Sequence, residues 1–466
     1  MNNDFTPSQL DQIDRDRQKR YRELLDFYGG RQWSGSNRGE KRLTFNYTKV
    51  VIDKVTSSLM SGMHFTATAA DDSKEAREQA KRAEVVLGKV KQENNLGQLD
   101  FETEIDCAIL GDGCFKVIWD GETKNTRVTS PDIQGIYAWW LADDALTLRR
   151  LASRYRLSAE EAEELYNIKP IARTATVTEL WTDGQLQLWL DDKLLEQQPN
   201  PYSLIPFIIY PNLREPKNFW GISDLSPLLE PQRELNRAMS QLSKILELSG
   251  NPIAVLENIE ESEDIAVRPG AVWNLPEDAK AYLLDLLQGG GVNLHIEYIN
   301  LLYRTLHDVA EAPRAAFGGG GQNLSGVALE IELQPLLQKV WRKRLIRTEA
   351  YNRRNRLILK MFEKYADEDF SKCCLNTVWS PVLPRDLSVM VGNEQTMVQN
   401  GIHSRRRAMA EVGIKDPELE FSRWLEEREA ILKMNKNPDA RIAGGRERES
   451  DRLTGKKAPS SEKEDA

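Results

Sequence analysis

The chain is poor in the residues that metal, redox and nucleophilic chemistry draw on, with only four cysteines and four histidines among 466 residues. Cys107 and Cys114 stand apart and Cys373 and Cys374 adjoin, and neither arrangement has the CxxC spacing of a zinc site. All four are expected as reduced thiols in a cytosol. His64, His295, His307 and His403 show neither paired metal spacing nor an HExxH pattern. His307, with Asp308 and Glu311 nearby, is expected to be solvated or to pack between helices. No apolar run approaches the ~18 residues of a membrane span, and the charged stretch Asp11 to Arg20 near the N-terminus does not suit a signal peptide. Basic excess is missing as well. Lys and Arg number 63 against 72 Asp and Glu, a net charge of −9, so a DNA partner would be passed or guided rather than gripped.

Catalytic patterns are absent on the same reading. The run Gly318 to Gly321 lacks the following Gly-Lys-Ser/Thr of a phosphate-cradling loop. The pairs Asp143-Asp144 and Asp191-Asp192 sit in turn-like contexts, and no nucleophile, base and orienter can be argued together. The expectation is a non-enzymatic chain with no metal and no cofactor.

What is present is a patterned, globular α+β chain, predominantly helical. Apolar periodicity predicts helices over 8–27, 46–61 and 74–93. Short β-branched and aromatic runs at Cys114 to Trp119, Thr126 to Thr129, Thr176 to Trp181 and Leu186 to Leu190 predict strands joined by tight turns. Ile205 to Lys217 reads as a proline-rich connector. Asp224 to Ser249 places Leu235, Ala238, Met239, Leu242, Ile245 and Leu246 on one helical face, with Gly250-Asn251-Pro252 as its stop. A small strand-bearing insert follows, then a helix over 295–312 and the glycine-rich stretch Pro313 to Gly326. A single long helix over 327–365, kinked at Pro335, comes next. Val378 to Met390 reads as an edge strand interrupted by prolines. Short helices follow to Met434, and the polar residues Asn435 to Ala466 are expected to be disordered.

This order of helix, insert, helix, glycine-rich loop and long helix resembles the portal proteins of tailed bacteriophages. Local sequence agrees: Ile205-Pro206-Phe207 to Asn212, Gly221-Ile222-Ser223-Asp224-Leu225 with Leu235-Asn236, and Ser325-Gly326-Val327-Ala328-Leu329. Tyr28-Gly29-Gly30 with Asn46 to Asp53 extends the similarity to the N-terminal region. The resemblance implies a wing over 1–222, stem helices over 223–250 and 295–312 and a clip over 251–294. It further implies a tunnel loop over 313–326, a long wing helix and strand over 327–392, a helical crown over 393–434 and a tail over 435–466.

The implied function is a dodecameric ring at one capsid vertex of the virion, assembled in the host bacterial cytoplasm. Double-stranded DNA would pass through it during packaging and ejection. Implied partners are the terminase large subunit, major capsid and scaffolding proteins, and head-completion adaptors, with no membrane. In the tunnel loop the residues singled out are Arg314, Phe317, Gly318, Gly319, Gly320, Gly321, Gln322 and Asn323. For partner binding at the clip they are Glu257, Glu260, Glu261, Glu263 and Asp264. Residues 251–293 hold eight acidic against two basic side chains, whereas 327–365 hold ten basic against four acidic. An acidic clip would let polyanionic DNA slide; the basic residues Arg342, Lys343, Arg344, Arg347, Arg353, Arg354 and Arg356 are expected in solvent or in salt bridges to a neighbouring subunit. The alternative is another head–tail connector or capsid component without a DNA channel. A DNA-processing enzyme would need a Walker lysine or an acidic metal cluster.

Overall fold

The computed structural model describes residues 6–36, 39–170, 172–250, 254–257, 278, 280–283, 291–319, 326–383, 387–414 and 416–436. They divide into two compact units, Met1–Val382 and Leu383–Ala466. The first unit opens with helices α1 (Leu10–Ile13) and α2 (Arg15–Tyr28), which are separate helices because the chain leaves helical geometry at Asp14. Helix α3 (Tyr47–Met60) follows, its first turn capped by the Asn46 side chain, which accepts from the Lys49 N–H. Strand β1 (Met63–Ala69), α4 (Lys74–Glu93) and α5 (Leu96–Leu110) lead to β2 (Asp112–Asp120) and β3 (Asn125–Thr129). Then come β4 (Ile136–Trp140), β5 (Leu148–Ser158), α6 (Ala159–Tyr166), β6 (Thr174–Thr182), β7 (Gln185–Leu190), β8 (Lys193–Pro199) and β9 (Phe207–Pro211).

Strands β4 to β8 form an antiparallel meander in sequence order, while β2 sits between β3 and β9 in a second sheet. The rest of the first unit is α7 (Leu229–Gly250), β10 (Ala254–Glu257), β11 (Lys280–Leu283), α8 (Gly291–Val309), α9 (Gly326–Glu332), α10 (Gln334–Tyr365) and β12 (Cys373–Trp379). Strand β12 returns to pair with β1, Met63 opposite Trp379 and Ala69 opposite Cys373, so the unit closes on its own beginning. The second unit carries α11 (Leu387–Gln399), α12 (Arg405–Glu411) and α13 (Pro417–Lys436). Gly401 and Gly413, both at positive φ, break its helices apart.

Helix α10 is the spine of the first unit. Its 32 residues span about 48 Å at ~1.5 Å per residue. Buried positions recur along it at Leu336, Val340, Lys343, Arg347, Ala350, Tyr351, Arg354 and Ile358, the spacing of a stripe that faces a core. Its apolar half joins Phe115, Tyr210, Leu87 and Val90 in one cluster, where Tyr351 lies 5.8 Å from Phe115 between ring centroids.

The other half of the stripe is cationic. Lys339, Lys343, Arg347 and Arg354 are all buried, each against a carboxylate of the same chain. Asp224 bridges Lys343 and, at 3.2 Å, Lys339. Arg347 donates from Nε to Glu104 at 2.9 Å and from Nη2 to the Asn212 side chain at 2.9 Å. Arg354 holds Asp100. Glu104 also accepts from the hydroxyls of Tyr210 at 2.9 Å and Tyr351 at 3.1 Å. Taking such ions out of water costs several kcal/mol each, and only complete pairing with further hydrogen bonds offsets it. Burial would raise the Asp224 carboxyl, but Lys339 and Lys343 outweigh burial and hold it well below the usual carboxylate range.

The structure departs from the sequence expectations at definite points. The helix expected over 327–365 is two helices, interrupted at Leu333, because Pro335 lacks an N–H and sits in the first turn of α10. The strand expected over Val378 to Met390 lies earlier, at 373–379, where β1 supplies a pairing edge, and Leu387 onward is helix. The connector Ile205 to Lys217 contains β9, which pairs with β2. Lys343, Arg347 and Arg354 face neither solvent nor a neighbouring subunit; they are interior groups neutralised within the chain. Helix α5, without a clear apolar stripe, and strands β4, β5 and β8 were not legible in the sequence. Of the disordered tail expected over Asn435 to Ala466, Asn435 and Lys436 instead end helix α13, which continues past Met434, and residues 437–466 lie outside the described residues.

Two outcomes follow for unfolding measured at fixed protein concentration. Asp224→Asn removes the shared partner of two buried ammoniums and is expected to cost about 3–5 kcal/mol, whereas Glu75→Gln, at the exposed pair with Lys372, leaves the denaturation midpoint in place. The second concerns Asp112, which burial pushes up to about 7 despite the Gly221 N–H at 2.8 Å and the Tyr21 hydroxyl at 3.2 Å. A raised carboxyl favours the folded state fully below its unfolded value and loses that contribution as pH rises through about 7. Asp112→Asn is therefore expected to flatten the decline of stability between pH ~4 and ~7; an unchanged slope in pH-dependent denaturation would contradict it.

Candidate assembly and channel site

The antiparallel hairpin of α7 and α8 is anchored at one end and bare at the other. At the anchored end, Leu228, Leu235 and Leu306 pack with Val51, Val55 and Leu59 of α3 and with Leu336 and Val340 of α10. Tyr303 meets the Tyr47 ring at 4.9 Å. Between Ser240 and residue 247 no position of α7 is buried, and α8 has none before Leu306. Two helices can cover one face of each other, so the remaining apolar side chains stay in water. Leu294 is 69% exposed and Leu301 59%.

Several motif residues build the joint beneath the hairpin. Gly221 approaches Gly111 so closely that a Cβ would stand 2.3 Å from the Gly111 carbonyl oxygen, which excludes any side chain. Ser223 donates to the Ile109 carbonyl at 2.5 Å, and Asp224 meets the cations of α10. Asn212 accepts from Lys343 at 2.7 Å and donates to the Ile222 carbonyl at 3.0 Å. Asn236 donates to Gln32 at 2.6 Å and accepts from the Phe45 N–H at 3.0 Å. Lys339 reaches the Ala310 carbonyl at 2.9 Å, fastening the end of α8 to the same seam.

The stretch expected as a loop from Pro313 to Gly326 begins as a packed 3-10 turn, Arg314–Phe317. Phe317 sits edge-on to buried His307, centroids 5.1 Å apart, and Arg314 lies 5.1 Å over the Tyr303 ring. His307 pairs through Nδ1 with the Ala312 carbonyl at 2.7 Å. Gly318 ends the turn at φ 82°, and Gly319 follows exposed. The remaining loop residues singled out, Gly320, Gly321, Gln322 and Asn323, lie outside the described residues.

Of the clip residues, Glu257 is described. It ends β10, opposite Lys280 of β11, and accepts from the Tyr282 hydroxyl at 3.3 Å. Glu260, Glu261, Glu263 and Asp264 lie outside the described residues. The structure therefore brings Arg314 and Phe317 together against Tyr303 and His307 of α8, and places Glu257 on a separate ladder. Sequence reading missed Tyr303 and the cationic seam; the i, i+4 spacing of Tyr303 with His307 and of Lys339, Lys343 and Arg347 was the available signal.

Helix α9 is solvent-facing along its whole length. None of its residues is buried, although Val327 is 69% and Ile331 65% exposed. Trp341 and Leu345 on α10 are exposed as well. Exposed apolar area of this kind marks a surface that another molecule covers. Among the described residues no group of three or more His, Cys, Asp or Glu side chains is placed to hold a metal ion, and no described helix is long and apolar enough to cross a membrane.

No curated protein matches the chain. The family described as "Phage portal protein, SPP1 Gp6-like" matches residues 8–434. That span runs from the first helices through hairpin, turn and spine into α13, and the family is structural rather than enzymatic. The chain belongs to the phage portal protein family, SPP1 Gp6-like.

Proposed function

We propose that this chain forms a dodecameric ring at one vertex of the capsid, through whose channel double-stranded DNA is packaged and later ejected. The observation that carries this reading is the half-bare hairpin of α7 and α8 continued by the unburied α9. Its apolar side chains find cover only against further copies of the chain, and identical neighbours related by rotation close into a ring. In the ring, the turn at Arg314 and Phe317 with Gly318 to Asn323 borders the channel. The insert bearing Glu257, Glu260, Glu261, Glu263 and Asp264 meets the terminase large subunit first and head-completion adaptors afterwards. Capsid and scaffolding proteins contact the wing. The assembly forms in the host cytoplasm and remains in the virion.

Two measurements test the reading. Mass photometry of the purified protein is expected to give a closed ring of twelve or thirteen copies of the 53.2 kDa subunit; a monomer at micromolar concentration under every salt condition would overturn it. Arg314→Ala is expected to leave ring mass unchanged while slowing packaging or shortening the packaged DNA. Normal packaging by this variant, or a ring reconstruction with residues 313–326 on the outer rim, would remove the turn from the channel.

A further inference from the structure

Within the first unit, a groove of about 520 Å³ runs beside α10, floored by Phe207, Ile209, Phe219 and Ile346. Leu345 is exposed on its edge. Arg214, Glu349 and Arg353 also line it, and neither arginine forms an ion pair among the described residues. An open apolar floor with unpaired cations suits a short amphipathic helix carrying acids.

The chain itself displays such a helix. On α9, Val327 and Ile331 stand one turn apart on one face, with Glu330 and Glu332 beside them. Neither glutamate has an ion-pair partner among the described residues, and no residue of α9 is buried. A chain cannot seat its own α9 in its own groove. The Leu333 N–H bonds to the Leu329 carbonyl at 3.0 Å and the Leu337 N–H to the Leu333 carbonyl at 3.1 Å, so α9 runs on from the start of α10. Leu345 lies in the opposite direction, about 18 Å along the axis at ~1.5 Å per residue.

We propose that α9 of one subunit docks in the groove of the next, Val327 and Ile331 on the apolar floor and Glu330 and Glu332 toward Arg214 and Arg353. Helix and groove are different surfaces, so the contact is head-to-tail and repeats around a ring until it closes. This inference rests on the ring reading and goes further by naming the two surfaces that meet.

The test uses the full chain carrying Ile331→Cys and Leu345→Cys, with Cys373→Ser and Cys374→Ser removing the two native thiols that are not buried. Ring mass is measured first, and a short bismaleimide is then added. The expected result is a ladder of covalent dimers, trimers and higher species on a denaturing gel, with each single-cysteine control remaining a monomer band. Rings of normal mass that give no ladder, or only a cross-linked monomer, overturn the docking while leaving the ring reading intact. Failure of the unmodified chain to form rings overturns the ring reading and the docking with it. As a second arm, Arg214→Glu with Arg353→Glu is expected to abolish the ring peak, and adding Glu330→Arg with Glu332→Arg to restore it. A charge-reversed chain that still forms rings, or no restoration by the paired reversal, counts against the contact.

Discussion

Everything in the first unit hangs on the cationic seam of α10. Four buried cations from one helix meet Asp224, Glu104 and Asp100, which come from two other places in the sequence. Because an unpaired buried charge costs several kcal/mol, these partners can be satisfied in only one relative placement of the pieces. The seam thereby sets how α5, the segment before α7 and the end of α8 lie against the spine. Apolar packing alone would tolerate small slippage between helices; a lattice of directional charge-assisted hydrogen bonds does not.

That rigidity has a use in an assembly. The α7 and α8 hairpin stands out from the body with no buried residue along much of its length, so its direction depends on what holds its base. Lys339 grips the end of α8 through the Ala310 carbonyl while sharing Asp224 with Lys343. Tyr303, His307, Phe317 and Arg314 form an edge-to-face aromatic and cationic group just above. A protruding element fixed at its root presents the same apolar face in every copy, which a repeating contact requires.

Several of the residues whose local wording resembles portal proteins turn out to be joint residues. Gly221 permits backbone contact with Gly111, Asp224 neutralises two lysines, and Asn212 and Asn236 tie loop carbonyls and amides across elements. Their identities follow from steric and electrostatic demands at the root of the hairpin. This explains why these residues, scattered over the chain, gain meaning from their order: they converge on one place.

By itself the sequence determined what depends on neighbours along the chain. The periodic stripes of α3, α4 and α7, the end of α7 at Gly250 and the strands β2, β3, β6 and β7 were legible because they depend on short-range spacing. The break before Pro335 was legible as a kink, for a missing N–H is a local fact. Only the tertiary structure decided which charges are interior. Arg347 and Arg354 read in sequence like the surface arginines of any long helix, since burial depends on carboxylates some 240 residues away. The pairing of β1 with β12 across 300 residues, and the packing of Arg314 and Phe317 onto α8, were hidden for the same reason. Local preference is written in the order of residues, whereas the cost of a buried charge is set by what the fold brings beside it.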